Sequence, residues 1–224
     1  MSEYSDLRTK VIDFLESNTP VISTTVFDYI LENAQFKIAR EFDLNFLRKI
    51  DTSALTSTNP YINLPANMLV LRSIQYLDAD KNRTFLEPKE VTYVIEYGKN
   101  RTSTAKPKYY AHLNEDTLLI SPTPNSNYSI EVHYTVKPNS DDASTLLNNS
   151  NPYSWISKNA PEVLFNVCML EAIDYLKGPT DLRQIYEQRY TNSAQGLSIE
   201  QQGRNRRDEF KHGIARTPLQ VKKP

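Results

Sequence analysis

The sequence predicts an α+β protein in which a small antiparallel β domain is inserted into a discontinuous four-helix body. Apolar residues recur at helical spacing in residues 1–50 and again in 160–200, whereas residues 51–138 carry short apolar runs broken by Pro and Asn. Neither helix pair alone offers enough apolar surface for a core, so we expect the two pairs to pack together. Residues 139–159 are predicted to form a long connecting loop, and residues 203–224 a basic tail.

Two helices are predicted before residue 50. Their apolar stripes are Leu7, Val11, Phe14 and Leu15 in the first helix, and Phe27, Ile30, Leu31, Ala34 and Ile38 in the second. Pro20 separates the helices. Thr25 followed three residues later by Asp28 resembles a capping box, which predicts that the second helix begins at Thr25.

The β domain is predicted from runs of strand-like composition between turn residues. The candidate strands are 61–64, 69–77, 108–112, 117–121 and 128–137. The last of these alternates apolar and polar residues from Tyr128 onward, which indicates one buried face and one solvent-facing face.

Two further helices are predicted after the connecting loop. Pro161 opens a helix to about Lys177 that is apolar on nearly every side, so we expect it to be the buried central helix. Gly178-Pro179 ends it. A fourth helix follows, with Leu182, Ile185, Tyr186, Tyr190 and Leu197 on one stripe.

Composition excludes several functional classes. No apolar run approaches the roughly 18 residues that a membrane span needs. The start of the sequence lacks a signal peptide, and Cys168 is the single cysteine, so we expect a reducing compartment and neither a disulfide nor a cysteine zinc site. The five glycines are too scattered for a phosphate-binding loop. We find no catalytic constellation and expect no enzyme activity, cofactor or metal.

A basic, tyrosine-rich cluster lies in the predicted β domain. Its members are Lys99, Arg101, Lys106, Lys108, Tyr93, Tyr97, Tyr109 and Tyr110. Such residues can stack on single-stranded nucleic acid or form a protein interface. The acidic charge of the chain outside its tail favours the protein interface, for which Lys106, Lys108, Tyr109 and Tyr110 are the candidates, and nucleic-acid binding remains the alternative.

The predicted loop carries the only tryptophan. Trp155, with Tyr153 beside it, has the profile of an interface hot spot: a large apolar side chain with one N–H to satisfy. The loop could equally fold back over its own helices.

The charge of the chain is unevenly distributed. Residues 203–224 hold seven Lys and Arg against two Asp and Glu, whereas the whole chain has a net charge of −1. A basic arm on an acidic protein is typical of a segment that binds an acidic partner or a phosphate backbone.

The order and spacing of several motifs resemble the head-to-tail adaptor proteins of tailed bacteriophages, including the tail tubular protein A type of short-tailed phages. The motifs are INLP at 62–65, LVLRS at 69–73, LEP at 86–88, PKYYA at 107–111, LLISPTP at 118–124, YSIEVHY at 128–134, NAPEVL at 159–164 and LEA at 170–172. The resemblance runs from about residue 61 to residue 190 and agrees with the helix, β insert, helix order.

The resemblance implies a structural virion protein, made in the cytoplasm of a bacterial host. It implies a homo-oligomeric ring of 12 copies below the portal protein, with DNA passing through the lumen, and no membrane. Tail partners would be the nozzle, or tail tubular protein B, and tail fibres.

The tail lies outside the resemblance and is assigned separately. We expect it to contact portal carboxylates through its cations and shallow apolar sites through its apolar residues; contact with DNA in the lumen is the alternative. The residues concerned are Arg204, Arg206, Arg207, Lys211, Ile214, Leu219 and Val221.

Overall fold

The computed structural model describes residues 4–16, 21–138 and 145–204. Within these ranges the chain forms six α-helices and ten strands, which confirms a mixed α+β protein. The chain divides into two compact units. The first, here called the helical unit, runs to Phe46 and resumes at Pro138, and the second, the β unit, is Leu47–Lys137.

The helical unit begins with α1 (Tyr4–Phe14) and α2 (Thr24–Glu41). The N-cap of α2 is Ser23, whose hydroxyl accepts a hydrogen bond from the Val26 backbone N–H, so the helix begins before the predicted Thr25. Asp28 does not act as the predicted capping acid; its carboxylate accepts a hydrogen bond of 2.6 Å from the Tyr4 hydroxyl. The apolar stripe of α2 is buried as predicted.

Three helices follow the β unit: α4 (Trp155–Asn159), α5 (Pro161–Leu176) and α6 (Thr180–Arg204). The helical unit therefore has five described helices where the sequence predicts four. The additional helix, α4, lies within the predicted loop. Because α4 has only five residues, its apolar residues show no helical period by which it could be predicted. It is stabilised by a capping box, in which the Ser154 and Ser157 hydroxyl groups each accept a hydrogen bond from the other residue's backbone N–H.

Helix α5 is buried over most of its circumference, which confirms the prediction for the central helix. Helix α6 packs against it and differs from the prediction in two respects. Ile185, predicted on the buried stripe, is exposed, and the helix continues through Gly203 to Arg204. A single glycine near a helix end costs too little to stop the helix.

Gln35 joins α2 to the segment that precedes α4. Its side chain is fully buried; the amide nitrogen donates to the Leu147 carbonyl oxygen at 3.0 Å, and the amide oxygen accepts from the Leu147 N–H at 2.7 Å. The amide thus bonds this backbone as a neighbouring strand would.

The β unit is built on a four-stranded antiparallel sheet in the order β1-β10-β3-β4. Its strands are β1 (Arg48–Leu55), β3 (Met68–Leu77), β4 (Arg83–Phe85) and β10 (Tyr128–Val136). Tyr128, Ile130, Val132 and Tyr134 are buried, which confirms the predicted alternation in β10.

A second sheet has the order β2-β8-β7-β5 and packs against helix α3 (Val91–Tyr97). Its strands are β2 (Tyr61–Asn63), β5 (Glu87–Pro88), β7 (Tyr109–His112) and β8 (Thr117–Ser121), and a separate two-stranded sheet joins β6 (Thr104–Ala105) to β9 (Thr123–Pro124). The five predicted strands are confirmed. The sequence prediction missed α3 and five strands, namely β1, β4, β5, β6 and β9. The pairs β5·β7 and β6·β9 are parallel rather than antiparallel.

Candidate functional site

Three tyrosines of the β unit form a surface cluster, here called the tyrosine cluster. Tyr93 and Tyr97 lie one turn apart on α3, and helical spacing therefore places them on one face. Tyr109 lies on β7, and its ring packs edge-on against both, with centroids 5.5 Å from Tyr93 and 4.9 Å from Tyr97. Because α3 packs against β7, the cluster is held by two regular elements and not by a loop.

The cation at the tyrosine cluster is Lys89, which sequence reasoning missed. Its ammonium lies 5.6 Å from the ring centroid of Tyr109 and 6.0 Å from that of Tyr93, within range of a cation–π interaction. The pKa of Tyr109 is raised above its ordinary value, because its hydroxyl is hydrogen-bonded to Tyr93 and a phenolate there would be repelled by the neighbouring groups. The cluster therefore presents amphipathic rings, of a kind that is enriched at protein interfaces.

Tyr110 does not belong to this surface. Its side chain points to the opposite face of β7 and is only 7 % exposed, and burial raises its pKa. This corrects its assignment as an interface residue: neighbouring residues of a strand face opposite sides, so Tyr109 and Tyr110 cannot share one surface.

The predicted basic residues are separated in the structure. Arg101 lies over the ring of Tyr61, 5.4 Å from its centroid, and donates to its hydroxyl at 2.5 Å. Lys99 and Arg101 line a pocket of about 480 Å³ together with Tyr61, Ile95, Glu96 and Gly98. Lys106 and Lys108 are exposed.

Lys106 lies near Asp78. The pKa of that carboxyl is lowered chiefly by the backbone N–H of Asn82, with a smaller contribution from the Lys106 charge. The tyrosine rings pack on one another, and the cations are spread over separate sites. The structure therefore offers no support for the alternative of a nucleic-acid stacking platform.

Trp155 is the first residue of α4, and its ring stacks on Phe46 with centroids 4.7 Å apart and planes 13° apart. Tyr153 lies beside it, with the Lys158 ammonium 5.0 Å from its ring centroid. Both rings are half-buried. Both rings therefore contact side chains of their own helical unit.

The predicted tail lies almost wholly outside the described residues. Arg204 ends α6, while Arg206, Arg207, Lys211, Ile214, Leu219 and Val221 are not described.

Metal-ligating side chains and the single cysteine bear on whether a chemical site is present in the part of the chain that the structure describes. Over those ranges, no group of three His, Cys, Asp or Glu side chains is placed to hold a metal ion. Cys168 is completely buried in α5, and this burial raises the pKa of its thiol, which disfavours the reactive thiolate. Among the described helices, none combines the length and apolar character needed to cross a membrane.

Comparison with known proteins adds one match. Residues 2–218 match the family described as SU10 adaptor protein. None of the curated proteins matches the chain. The family match covers every described residue of both units, so it concerns the helical unit and the β unit alike.

Proposed function

This chain belongs to the SU10 adaptor protein family, and from that premise we propose that it forms the ring between the portal and the tail nozzle of a tailed phage. Membership makes it a structural phage adaptor and a virion component. The proposal adds a ring of 12 copies with DNA passing through its lumen, as in adaptors of the tail tubular protein A type. The family match over nearly the whole chain is the observation that carries it.

The helical unit is proposed as the discontinuous body of the ring. Its central helix α5 is buried among α1, α2, α4 and α6, so the unit has a core of its own. A body with its own core can hold its shape while its surface binds other virion proteins.

The β unit is proposed to meet the nozzle, tail tubular protein B or the fibres. The tyrosine cluster supports this role, since its three rings are held by regular elements and are partly exposed. Lys106 and Lys108 are close to Tyr109 in the sequence, and their side chains are exposed. Tyr153 and Trp155 are proposed as a second contact, because both side chains are partly exposed beside α4.

The tail is proposed to bind the portal. Residues 205–224 hold six Lys and Arg against two Asp and Glu. Single exposed ion pairs are weak, but a ring of copies makes many at once, and avidity then holds the junction. Arg204, Arg206, Arg207 and Lys211 would meet portal carboxylates, and Ile214, Leu219 and Val221 shallow apolar sites.

Binding to the isolated partners tests the adaptor role. Purified chain mixed with portal and with nozzle protein is expected to form a complex with each, measured by co-sedimentation. Failure to associate with both would contradict the proposal, whereas a monomeric state of the free chain would not, since a ring can assemble on the portal alone.

A truncation tests the role of the tail. Because α6 extends to Arg204, the cut belongs after that residue so that the helix stays whole. Removing residues 205–224 is expected to abolish binding to DNA-free portal without lowering the Tm of the chain. Normal portal binding combined with poorer DNA retention in virions would contradict portal docking and support DNA contact instead.

A further inference from the structure

The outward face of the sheet β1-β10-β3-β4, here called the open face, is an unusual surface. Residues directly opposite each other in antiparallel strands share a face, so the register aligns four rows across this sheet. The rows are Arg48–Thr135–Val70, Ile50–His133–Ser73, Thr52–Glu131–Gln75–Phe85 and Ala54–Ser129–Leu77–Arg83.

Three large apolar side chains stand out from the open face. Ile50 is 62 % exposed, Val70 53 % and Phe85 64 %. They lie on three different strands, β1, β3 and β4, so the exposed apolar area is spread across the face and is not confined to one strand. Separate exposed apolar residues are ordinary, but three in the aligned rows of one sheet mark a surface that gains from being covered.

The centre of the open face is polar yet already satisfied. Arg83 pairs with both carboxylate oxygens of Glu131, at 3.1 and 3.3 Å, and Gln75 also donates to that carboxylate. Gln75 in turn lies 3.2 Å from the His133 ring nitrogen. Groups that are bonded to each other before association lose little when water is removed, so this centre can be covered at small cost.

Charge indicates what covers the open face. Its rows and the adjacent bulge residue Arg72 carry three arginines, Arg48, Arg72 and Arg83, against the single acid Glu131. Two open faces brought together would oppose arginine to arginine, which disfavours a symmetric pair. By contrast, residues 1–46 and 138–204, the helical unit without its basic tail, carry sixteen Asp and Glu against nine Lys and Arg, so the body of the helical unit is acidic.

The helical unit has a groove that suits these side chains. It lies between the start of α5 and the middle of α6 and encloses about 450 Å³. Val163 and Leu197 form its apolar floor, and Glu162 and Glu200 are the carboxylates along it. At Gly196 the helix surface is open, since a Cβ there would meet nothing within 4 Å.

We propose that the open face of one copy binds the helical unit of a second copy, with Phe85 entering the groove at Gly196 and the net positive charge of the open face lying against the acidic body of the helical unit. The two surfaces differ, so the contact is head-to-tail, and repeated head-to-tail contacts close into a ring when the rotation permits. This inference rests on the proposed ring function and names the surfaces that build the ring.

Engineered cysteines test the contact directly. Cys168 is completely buried, so it contributes no background. A mixture of Phe85→Cys and Gly196→Cys chains is expected to form a disulfide-linked dimer about tenfold faster than either variant alone, because the contact raises the effective thiol concentration. Tyr29→Cys, at a helix position 63 % exposed, replaces Phe85→Cys in the control mixture.

The reaction is run with free chain and with chain bound to portal. Cross-linking of the mixture in either sample supports the proposal. Faster cross-linking of Phe85→Cys with itself would show a symmetric pair and overturn it, as would equal rates for the Phe85 and Tyr29 mixtures in both samples.

A charge placed on the open face gives a second readout. Phe85→Glu is expected to lower the number of copies that sediment with each portal while the Tm is unchanged, and the matched Tyr29→Glu variant is expected to load the portal as the natural chain does. Equal association of both variants would overturn the inference. Portal binding and presence in purified virions test the adaptor role separately: a chain that meets both and yet fails the cross-linking keeps its proposed function and loses only this interface.

Discussion

Replacing Gln35 by Met should destabilise the helical unit far more than the loss of one surface amide. The methionine matches the length of the side chain but offers no group to the Leu147 backbone, whose N–H and C=O are both bonded by Gln35. Leu147 is itself 1 % exposed, so water does not replace the lost partner. Each buried backbone group left unpaired costs about 1–3 kcal/mol, and two are lost, so we expect the free energy of unfolding to fall by about 2–6 kcal/mol.

The size of the effect makes it measurable by heat or denaturant. In a chain of 224 residues a loss of 1 kcal/mol lowers the Tm by about 2–4 °C, so a loss of about 4 kcal/mol, the middle of the expected range, lowers it by about 8–16 °C. Gln188→Met is the matched control, because Gln188 is an exposed helix residue whose amide bonds only the Asn192 side chain. We expect the control to change stability by less than about 0.5 kcal/mol.

Hydrogen exchange locates the effect. The Leu147 amide should be protected in the natural chain and exchange faster in Gln35→Met, whereas amides of α6 should keep their protection. A loss of stability below about 1 kcal/mol, or unchanged exchange at Leu147, would refute the reasoning that the amide stands in for a neighbouring strand.

Gly196→Ala should raise the free energy of unfolding by about 0.5–1 kcal/mol, since Ala favours the helix and a Cβ there would meet no atom within 4 Å. By contrast, Gly98→Ala should lower the Tm, because its Cβ would lie 2.5 Å from the Ser121 hydroxyl oxygen. The pKa of Tyr190 is raised in the folded chain by burial and by its hydrogen bond to Glu41. Its stabilising contribution is therefore complete below pH 10 and is lost as the pH rises further. The Tm of Tyr190→Phe should accordingly fall less steeply between pH 9 and 12 than the Tm of the natural chain. Equal slopes of Tm against pH would contradict this. Trp155→Ala should lower the free energy of unfolding by about 1–3 kcal/mol through the lost ring stacking, and an unchanged denaturant midpoint would count against a structural role.

Elements whose apolar pattern is set by burial could be predicted from the sequence. Strand β10 alternates because one side of the sheet is solvent-facing, and α5 is apolar all round because it is surrounded. The edge strand β1 was missed, since its sequence RKIDTSAL is mostly polar and only one side of the strand is paired. Helix α3 was missed because its β-branched and aromatic residues favour a strand locally, and packing on β7 and β8 overrides that preference.

The candidate interface also contains residues that the sequence could place and residues that it could not. Tyrosines at positions 93 and 97 could not be placed beside Tyr109 without knowing that α3 exists, and Lys89 lay outside the basic cluster that the sequence suggested. By contrast, strand alternation alone separates Tyr109 from Tyr110. A usable signal for Gln35 was also present, because it is a polar residue among the apolar positions of α2, where a buried amide needs partners.

The insertion of the β unit has a consequence for chain entropy. Its first strand, β1, and its last strand, β10, pair along their whole shared length, with Arg48 opposite Thr135. The β unit therefore begins and ends at two points about 5 Å apart, the spacing of paired strands. Once the β unit has folded, its 91 residues close the helical chain like a tight turn and not like a long flexible loop. Insertions at the far turns of the β unit would leave that closure unchanged, so the two units can vary in length independently.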